Sequence, residues 1–311
     1  MTLDLLSLGP TVAAVLFFVI VMLVASATRF HEVRARRGAP FTDDFLRSPG
    51  HSLRTRVEAA ARGVASATLV AGVWPLLVYS AWSGAIVLLG WPQSVLLAAA
   101  TVALIVLGAI VTLVRVFRAE QTFRRCRLLL DGEIAAGQAL TQLLRQGCRV
   151  VHDVSVPGAR LSHVVVAPTG VFAVRTLTRR GAGRGRGKED VTVYAQGDEL
   201  RFPDTSDVTS VPRARKAAQL LADRLREPLG RPVEVRPVLA LPGWFVDSRT
   251  GTDVPVVNPR DASRLLVGAR VLNDAAMDEL VELLEVLGPA SARRVPPVRE
   301  PLLDRKEPRL E

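Results

Sequence analysis

The feature that most constrains this chain is residues 63–114, a run of 52 residues without Asp, Glu, Lys or Arg. A helix needs about 20 apolar residues to cross a bilayer, so the run is long enough for two spans and too long for one buried helix of a soluble protein. Helix-breaking Gly and Pro residues cluster between Trp82 and Gln93, which places the turn there. The run therefore predicts a transmembrane helical hairpin over residues 63–115.

A second uncharged stretch lies between Asp4 and Arg29, and its core is almost entirely aliphatic or Phe. It predicts one transmembrane helix within residues 1–28. The alternative is a cleaved signal peptide, because Ala25-Ser26-Ala27 has the small-x-small pattern of a cleavage site. The N-terminal region has no Lys or Arg and contains Asp4, which favours the transmembrane helix.

Arginines flank these apolar stretches unevenly. Residues 29–62 contain eight Arg and four acidic residues, the turn region has no charge, and residues 115–127 contain five Arg and one Glu. Because basic flanks stay on the cytoplasmic side, the pattern predicts an outside N-terminus, a cytoplasmic basic loop over 29–62 and a cytoplasmic C-terminal part. The expected location is the cell membrane, where the chain would be a multi-pass protein in contact with the lipid bilayer.

The net charge of +10 comes from 40 Lys and Arg against 30 Asp and Glu. Lysine occurs only at positions 188, 216 and 306, so arginine supplies nearly all the cations, which is typical of a GC-rich coding bias. We therefore do not take the composition as evidence of nucleic-acid binding. Cys126 and Cys148 are too few for a disulfide framework and lack the spacing of a zinc site.

Residues 116–288 have the composition and periodicity of a soluble α/β domain, and the order is a helix, three strands, an insertion, a helix and a strand. The predicted strands are 149–155, 163–167, 171–175, 191–195, 199–202, 233–241 and 254–257, and the predicted helices are 116–146, 211–225, 261–267 and 274–287. Residues 289–311 are dominated by Pro, Arg and Glu, which predicts a disordered tail.

One series of residues within this domain is distinctive. It consists of Gly132-Glu133, the strand Val150–Val154, Pro157-Gly158, the hairpin His163–Val174 and the segment Pro237–Trp244. The series resembles the NERD (nuclease-related) domain family, from about Gly132 to Leu287. The resemblance implies a PD-(D/E)XK nuclease-like domain with an αβββαβ core. The architecture expected for the whole chain is thus three N-terminal transmembrane helices followed by a cytoplasmic α/β domain of this type.

The resemblance also implies a site in which carboxylates hold a divalent metal such as Mg²⁺ and a Lys lies near the attacked phosphate. The family's helix acid is matched by Glu133, but its Asp, its strand acid and its Lys are replaced by Ser162, Arg175 and Leu177. We therefore predict a vestigial site that binds no metal and no cofactor. We also predict that Arg175 turns into the vacated site and pairs with Glu133, directly or through water, since each charge would otherwise be unpaired in a partly buried pocket. The alternative is that Arg175 turns to solvent and Glu133 is a surface residue of its helix.

Two further sets of residues bear on function. An active, Mg²⁺-dependent nuclease with displaced carboxylates is the alternative, although metal sites demand exact geometry. The carboxylates available for it are Asp153, Glu189, Asp190, Asp198 and Glu199. A glycine-rich basic loop could contact the phosphates of DNA or RNA, but glycine-rich loops are typically flexible and solvated, and no aromatic residue is interleaved for base stacking. The cations of this loop are Arg179, Arg180, Arg184, Arg186 and Lys188.

Taken together, these patterns predict a membrane-anchored pseudoenzyme. Its nuclease-like domain would bind nucleic acid or another membrane or cytoplasmic protein at the cytoplasmic membrane face, without cleavage. The active nuclease is the second possibility, and a purely structural membrane protein is the third.

Overall fold

The computed structural model describes residue 19 and residues 49–90, 94–181, 191–248 and 253–287. These residues form two compact units: residue 19, 53–90 and 94–127 belong to the first, and 49–52 together with the described residues from 128 onward belong to the second. Apart from Val19, which is helical, the predicted span within residues 1–28 lies outside the described residues. The predicted tail over 289–311 lies outside them as well.

Two long helices form most of the first unit, although their residues 51–52 and 128–141 belong to the second. Helix α1 is His51–Leu89 and helix α2 is Val95–Thr141, and both are long and apolar enough to cross a membrane. Gly90 follows α1 with a φ of 63°, a left-handed conformation that glycine adopts at little cost. The end of α1 thus falls inside the predicted turn region, although Gly84 lies within the helix.

Gly108 of α2 lies directly against Trp74 of α1: a Cβ at position 108 would lie 1.8 Å from Trp74 Nε1. We expect Gly108→Val to destabilise the chain by about 1–3 kcal/mol, because the added carbons cannot fit without moving a rigid ring. Thermal unfolding in detergent micelles measures this. Gly84→Val is the matched control, since a Cβ at Gly84 would meet nothing within 4 Å. Equal shifts in the two variants would contradict the packing argument.

The second unit is built on two β-sheets, together with α3 (Ser210–Leu229), α4 (Asp274–Val286) and two 3₁₀ helices (Gln142–Gln146 and Pro259–Leu266). The strands are β1 Arg149–Val156, β2 Ala159–Ala167, β3 Gly170–Thr176, β4 Thr192–Gln196, β5 Glu199–Arg201, β6 Ser206–Asp207, β7 Val235–Ala240, β8 Phe245–Ser248 and β9 Val256–Val257. The five-stranded sheet has the order β1-β2-β3-β7-β9, and the four-stranded sheet has the order β6-β5-β4-β8.

The predicted α/β class is confirmed. Strands β1 to β3 are antiparallel neighbours, and β7 adds in parallel to β3 after the helix α3. The structure differs from the prediction in several details. The strands β6 and β8 were not predicted, and β2 begins at Ala159 and not at 163. The end of the predicted helix 116–146 and the predicted helix 261–267 are the 3₁₀ helices Gln142–Gln146 and Pro259–Leu266.

Apolar side chains cover both faces of the five-stranded sheet. One face packs against α3 and α4, where Leu221 and Leu280 are buried. The other face packs against the end of α2 and the 3₁₀ turn after it, through Leu140 and Leu143. The four-stranded sheet has its own core around Trp244. The C-terminal part of α2 is therefore fixed against β2 and β3, and this contact positions the site.

Candidate functional site

The alternation of side chains along strand β1 is interrupted at Asp153. Val151 and Val154 both belong to the core beneath α3 and α4, although side chains three residues apart on a regular strand point to opposite faces. Asp153 has a φ of 56°, and among the described residues it is the only non-glycine residue with a positive φ. The register of β1 with β2 continues on both sides of it. His152 and Asp153 consequently both lie on the face that α2 covers.

Two carboxylates share one guanidinium on this face. Glu133, on α2, accepts hydrogen bonds from Arg160 Nη1 at 3.0 Å and from Nη2 at 2.8 Å. Asp153 accepts one from Nε of the same Arg160 at 2.7 Å. Glu133 is 6% exposed and Asp153 is fully buried, whereas the side chain of Arg160, on β2, is 27% exposed. The positive charge between the two carboxylates is thus the guanidinium of Arg160. It makes a bidentate contact with Glu133 and a third hydrogen bond with Asp153.

Two serines complete the hydrogen bonding of these carboxylates. Ser162 Oγ donates to Glu133 Oε1 at 3.1 Å and accepts the Thr176 N–H at 3.2 Å. Ser52 donates its backbone N–H to Asp153 Oδ2 at 2.7 Å and its hydroxyl to Oδ1 at 2.9 Å. Each carboxylate therefore accepts three hydrogen bonds, which is what allows two ionisable acids to be buried side by side.

The carboxyl groups of Glu133 and Asp153 differ in acidity. Glu133 lies outside the part of α2 that could cross a membrane, because that apolar part ends before Arg115. Burial raises the pKa of Glu133 above its ordinary value, and the opposing effects of Arg160 and Ser162 do not cancel it. Burial also acts to raise the pKa of Asp153, but Arg160 and Ser52 outweigh it and the pKa is lowered. Asp153 is thus the more firmly ionised partner of Arg160.

A pair of buried histidines lies next to this network. His152 and His163 are 2% and 0% exposed, and their Nδ1 atoms are 2.7 Å apart. One Nδ1 must carry a hydrogen and the other must accept it, so the hydrogen bond requires at least one neutral ring. Burial lowers the pKa of His152 to about 4 and lowers that of His163 well below its ordinary value. Both rings are therefore neutral at pH 7.

The structure brings some of the predicted site residues together. Glu133 and Ser162 are in direct contact, as above, whereas Leu177 packs against the core of the four-stranded sheet. The guanidinium that the structure shows at Glu133 is that of Arg160, whereas the pairing of Glu133 with Arg175 stays a prediction. Arg160 lies at this position because side chains alternate along β2, so that Arg160 and Ser162, two residues apart, share a face of the strand.

Sequence reasoning missed Arg160 and Ser52. Period-two alternation from Ser162 could have pointed to Arg160. For Ser52 the sequence gives no comparable signal, since it is 101 residues from its partner Asp153.

The five carboxylates considered for the alternative metal site fall into three groups. Asp153 joins Glu133 at Arg160. Asp198 and Glu199 instead form surface ion pairs with Arg215 and Arg201, at 2.8 and 3.1 Å. Glu189 and Asp190 lie outside the described residues.

The basic loop is only partly described. Arg179 stacks over Phe202, with its guanidinium carbon 4.7 Å from the ring centroid, and lies 3.5 Å from Asp204. Arg180 is exposed. Arg184, Arg186 and Lys188 lie outside the described residues, so binding of nucleic acid by this loop stays a prediction.

The Glu133–Asp153 pair does not fit a divalent metal as it stands. A metal such as Mg²⁺ takes carboxylate oxygens directly, and here those oxygens accept hydrogen bonds from Arg160 and the serines. Within the described part of the chain, no group of three or more His, Cys, Asp and Glu side chains could hold a metal ion.

Comparison with known proteins bears on the same region. Residues 129–242 match the family model of the NERD, or nuclease-related, domain. The matched range contains Glu133, Asp153, Arg160 and Ser162, but not Ser52. No curated protein and no solved structure matches the chain. The resemblance seen in the sequence is confirmed over the matched range.

Proposed function

We propose that this chain is a membrane-anchored, nuclease-related protein whose α/β domain binds a partner without cleaving it. Nucleic acid is the first candidate partner because the domain is nuclease-related, and a protein is the second. The observation that carries the proposal is the position of Arg160, whose guanidinium binds the carboxylates of Glu133 and Asp153 at once.

The argument against cleavage is electrostatic. A metal-dependent nuclease uses its metal to neutralise the attacked phosphate and to activate water. Arg160 supplies a positive charge at the carboxylates, but a guanidinium is always protonated and cannot generate hydroxide as a metal-bound water does. A fixed cation of this kind is suited to binding and keeps the cluster neutral enough to be buried.

The argument for the membrane rests on the two apolar helices. Both α1 and α2 pass the length and hydropathy requirements for a span. Large apolar side chains on them are exposed, Leu77 at 60% and Leu96 at 84%, which water disfavours and lipid does not. Together with the arginine-rich flanks, they support a multi-pass protein with the α/β domain in the cytoplasm.

A metal and DNA assay on the full chain in detergent tests the proposal. We expect no plasmid cleavage with Mg²⁺ or Mn²⁺, no calorimetric Mn²⁺ site that depends on Glu133, and DNA binding that weakens as salt rises. Glu133→Gln is the control variant, because it removes one carboxylate charge and keeps the side-chain shape. Cleavage that is present in the wild type and lost in Glu133→Gln would establish the alternative instead.

An active nuclease with displaced carboxylates remains the second candidate for one specific reason. In the register of β1 and β2, Asp153 lies opposite Ser162, the position where the family has its Asp. Its carboxylate also binds the same guanidinium as Glu133, that of Arg160. The alternative requires Arg160 to leave this position before a metal can enter.

A further inference from the structure

Residues 49–52 precede the apolar part of α1, yet they pack onto the Glu133–Arg160–Asp153 network. A Cβ at Gly137 of α2 would lie 2.5 Å from Pro49 Cγ, so this proline rests directly on the α2 backbone. Gly50 is equally close: a Cβ there would lie 2.6 Å from Leu130 Cδ1 and 3.5 Å from Glu133 Oε2. These contacts all lie within the second compact unit.

Ser52 ties this segment to the buried carboxylate. It provides two of the three hydrogen bonds that Asp153 accepts, and Arg160 provides the third. Ser52 is also the second residue of α1, where a backbone N–H has no partner inside the helix and a nearby negative charge is favourable. Asp153 thus acts as an N-terminal cap supplied by a distant strand.

We propose that residues 49–52 are a strap that closes the site, and that its release opens Asp153 to solvent and ligands while the sheets stay folded. The strap is held by two hydrogen bonds from Ser52 and by the contacts of Pro49 and Gly50. The site beneath it is held by α2, β1 and β2, whose apolar cores do not include the strap.

Gly50 makes the closed position of the strap possible. Its φ of 72° is a conformation that side-chain-bearing residues rarely adopt, and it leaves no room for a Cβ against Leu130. Gly50→Ala therefore destabilises the closed strap in two ways, through backbone strain and through a clash with Leu130. Ser52→Ala removes only the hydroxyl and leaves the backbone N–H. Gly197→Ala is the matched control, because Gly197 has a φ of 56° and a Cβ there would meet nothing within 4 Å.

Carboxyl labelling of the full chain in detergent micelles tests the strap. A carbodiimide with a small amine modifies accessible carboxyl groups, and mass spectrometry locates them. We expect the labelling of Asp153 to rise roughly tenfold in Gly50→Ala, which corresponds to about 1.4 kcal/mol lost from the closed state. A smaller rise is expected in Ser52→Ala and none in Gly197→Ala. Exposed Asp223 is the reference for reagent strength.

Two results would overturn the proposal. In the first, Asp153 labels equally in the wild type and in both strap variants. In the second, buried Asp207, which is 7% exposed, becomes labelled together with Asp153, showing that residues 49–52 are an integral part of the fold. The strap does not rest on the proposed function, and labelling measures access and not binding or cleavage, so neither result bears on that function.

Discussion

Replacing Arg160 by Ala is expected to destabilise the α/β unit by about 3–5 kcal/mol, the usual cost of breaking a buried ion pair from one side. The variant leaves two buried carboxylates, Glu133 and Asp153, without their shared cation and next to each other. Serine donors remain on both, but a hydroxyl cannot neutralise a charge. Chemical denaturation of the full chain in detergent measures the loss.

A control separates this effect from the general loss of an arginine. Arg231 pairs with Glu279 at 3.4 Å, and both side chains are more than half exposed. Arg231→Ala should therefore change stability by less than about 1 kcal/mol. Adding Glu133→Gln and Asp153→Asn to Arg160→Ala should recover part of the loss, since neutral side chains need no counter-charge. A loss for Arg160→Ala no larger than that of Arg231→Ala would refute the shared-cation account.

Local sequence signals account for the elements that were predicted correctly. Runs such as Val164-Val165-Val166 read as strands because β-branched side chains fit a sheet buried on both faces. Asn273 read as a helix cap, and its side chain does accept the N–H of Ala276 at 2.8 Å. Each of these signals depends on residues that are close together in the chain, and such local patterns can be recognised from a single sequence.

Most of the site could not be recognised from such local patterns. The positive φ of Asp153 reverses the alternation of β1, and no glycine marks the place. The strand β8 forms through parallel pairing with β4, a contact between distant parts of the chain. The family resemblance pointed to Glu133 and Ser162, which the structure places in contact, but it gave no indication of Arg160. The resemblance indicated positions in the sequence but not the side chains from other positions that fold against them.

The second large effect concerns acid. The free energy of unfolding is expected to fall as pH is lowered from about 6.5 to about 4, because His152 has a pKa of about 4 in the folded chain and its ordinary value of 6.5 when unfolded. Between these values the unfolded chain binds a proton that the folded chain does not, so acid favours unfolding, and the full contribution is present only above 6.5. His152 alone accounts for about 3 kcal/mol.

Neighbouring groups change the size of this effect but not its sign. The charge of Asp153 favours protonation of His152, while burial and the charge of Arg160 disfavour protonation of His163, whose pKa is also lowered. Glu133 acts in the opposite direction, since its raised pKa lets the folded chain take up a proton first. The lowered pKa of Asp153 acts in the same direction as the histidines, and its effect begins near the lower end of this window and grows below it.

Melting temperatures between pH 7 and pH 4.5 test the histidine pair. A single substitution at His152 or His163 is ambiguous, because it removes one titration and also leaves the other Nδ1 without its 2.7 Å partner. Replacing both by Leu removes the two titrations and the two polar groups together. The slope should then largely vanish even if the absolute stability changes. If the double variant is as acid-sensitive as the wild type, the loss of stability in acid does not come from the histidines.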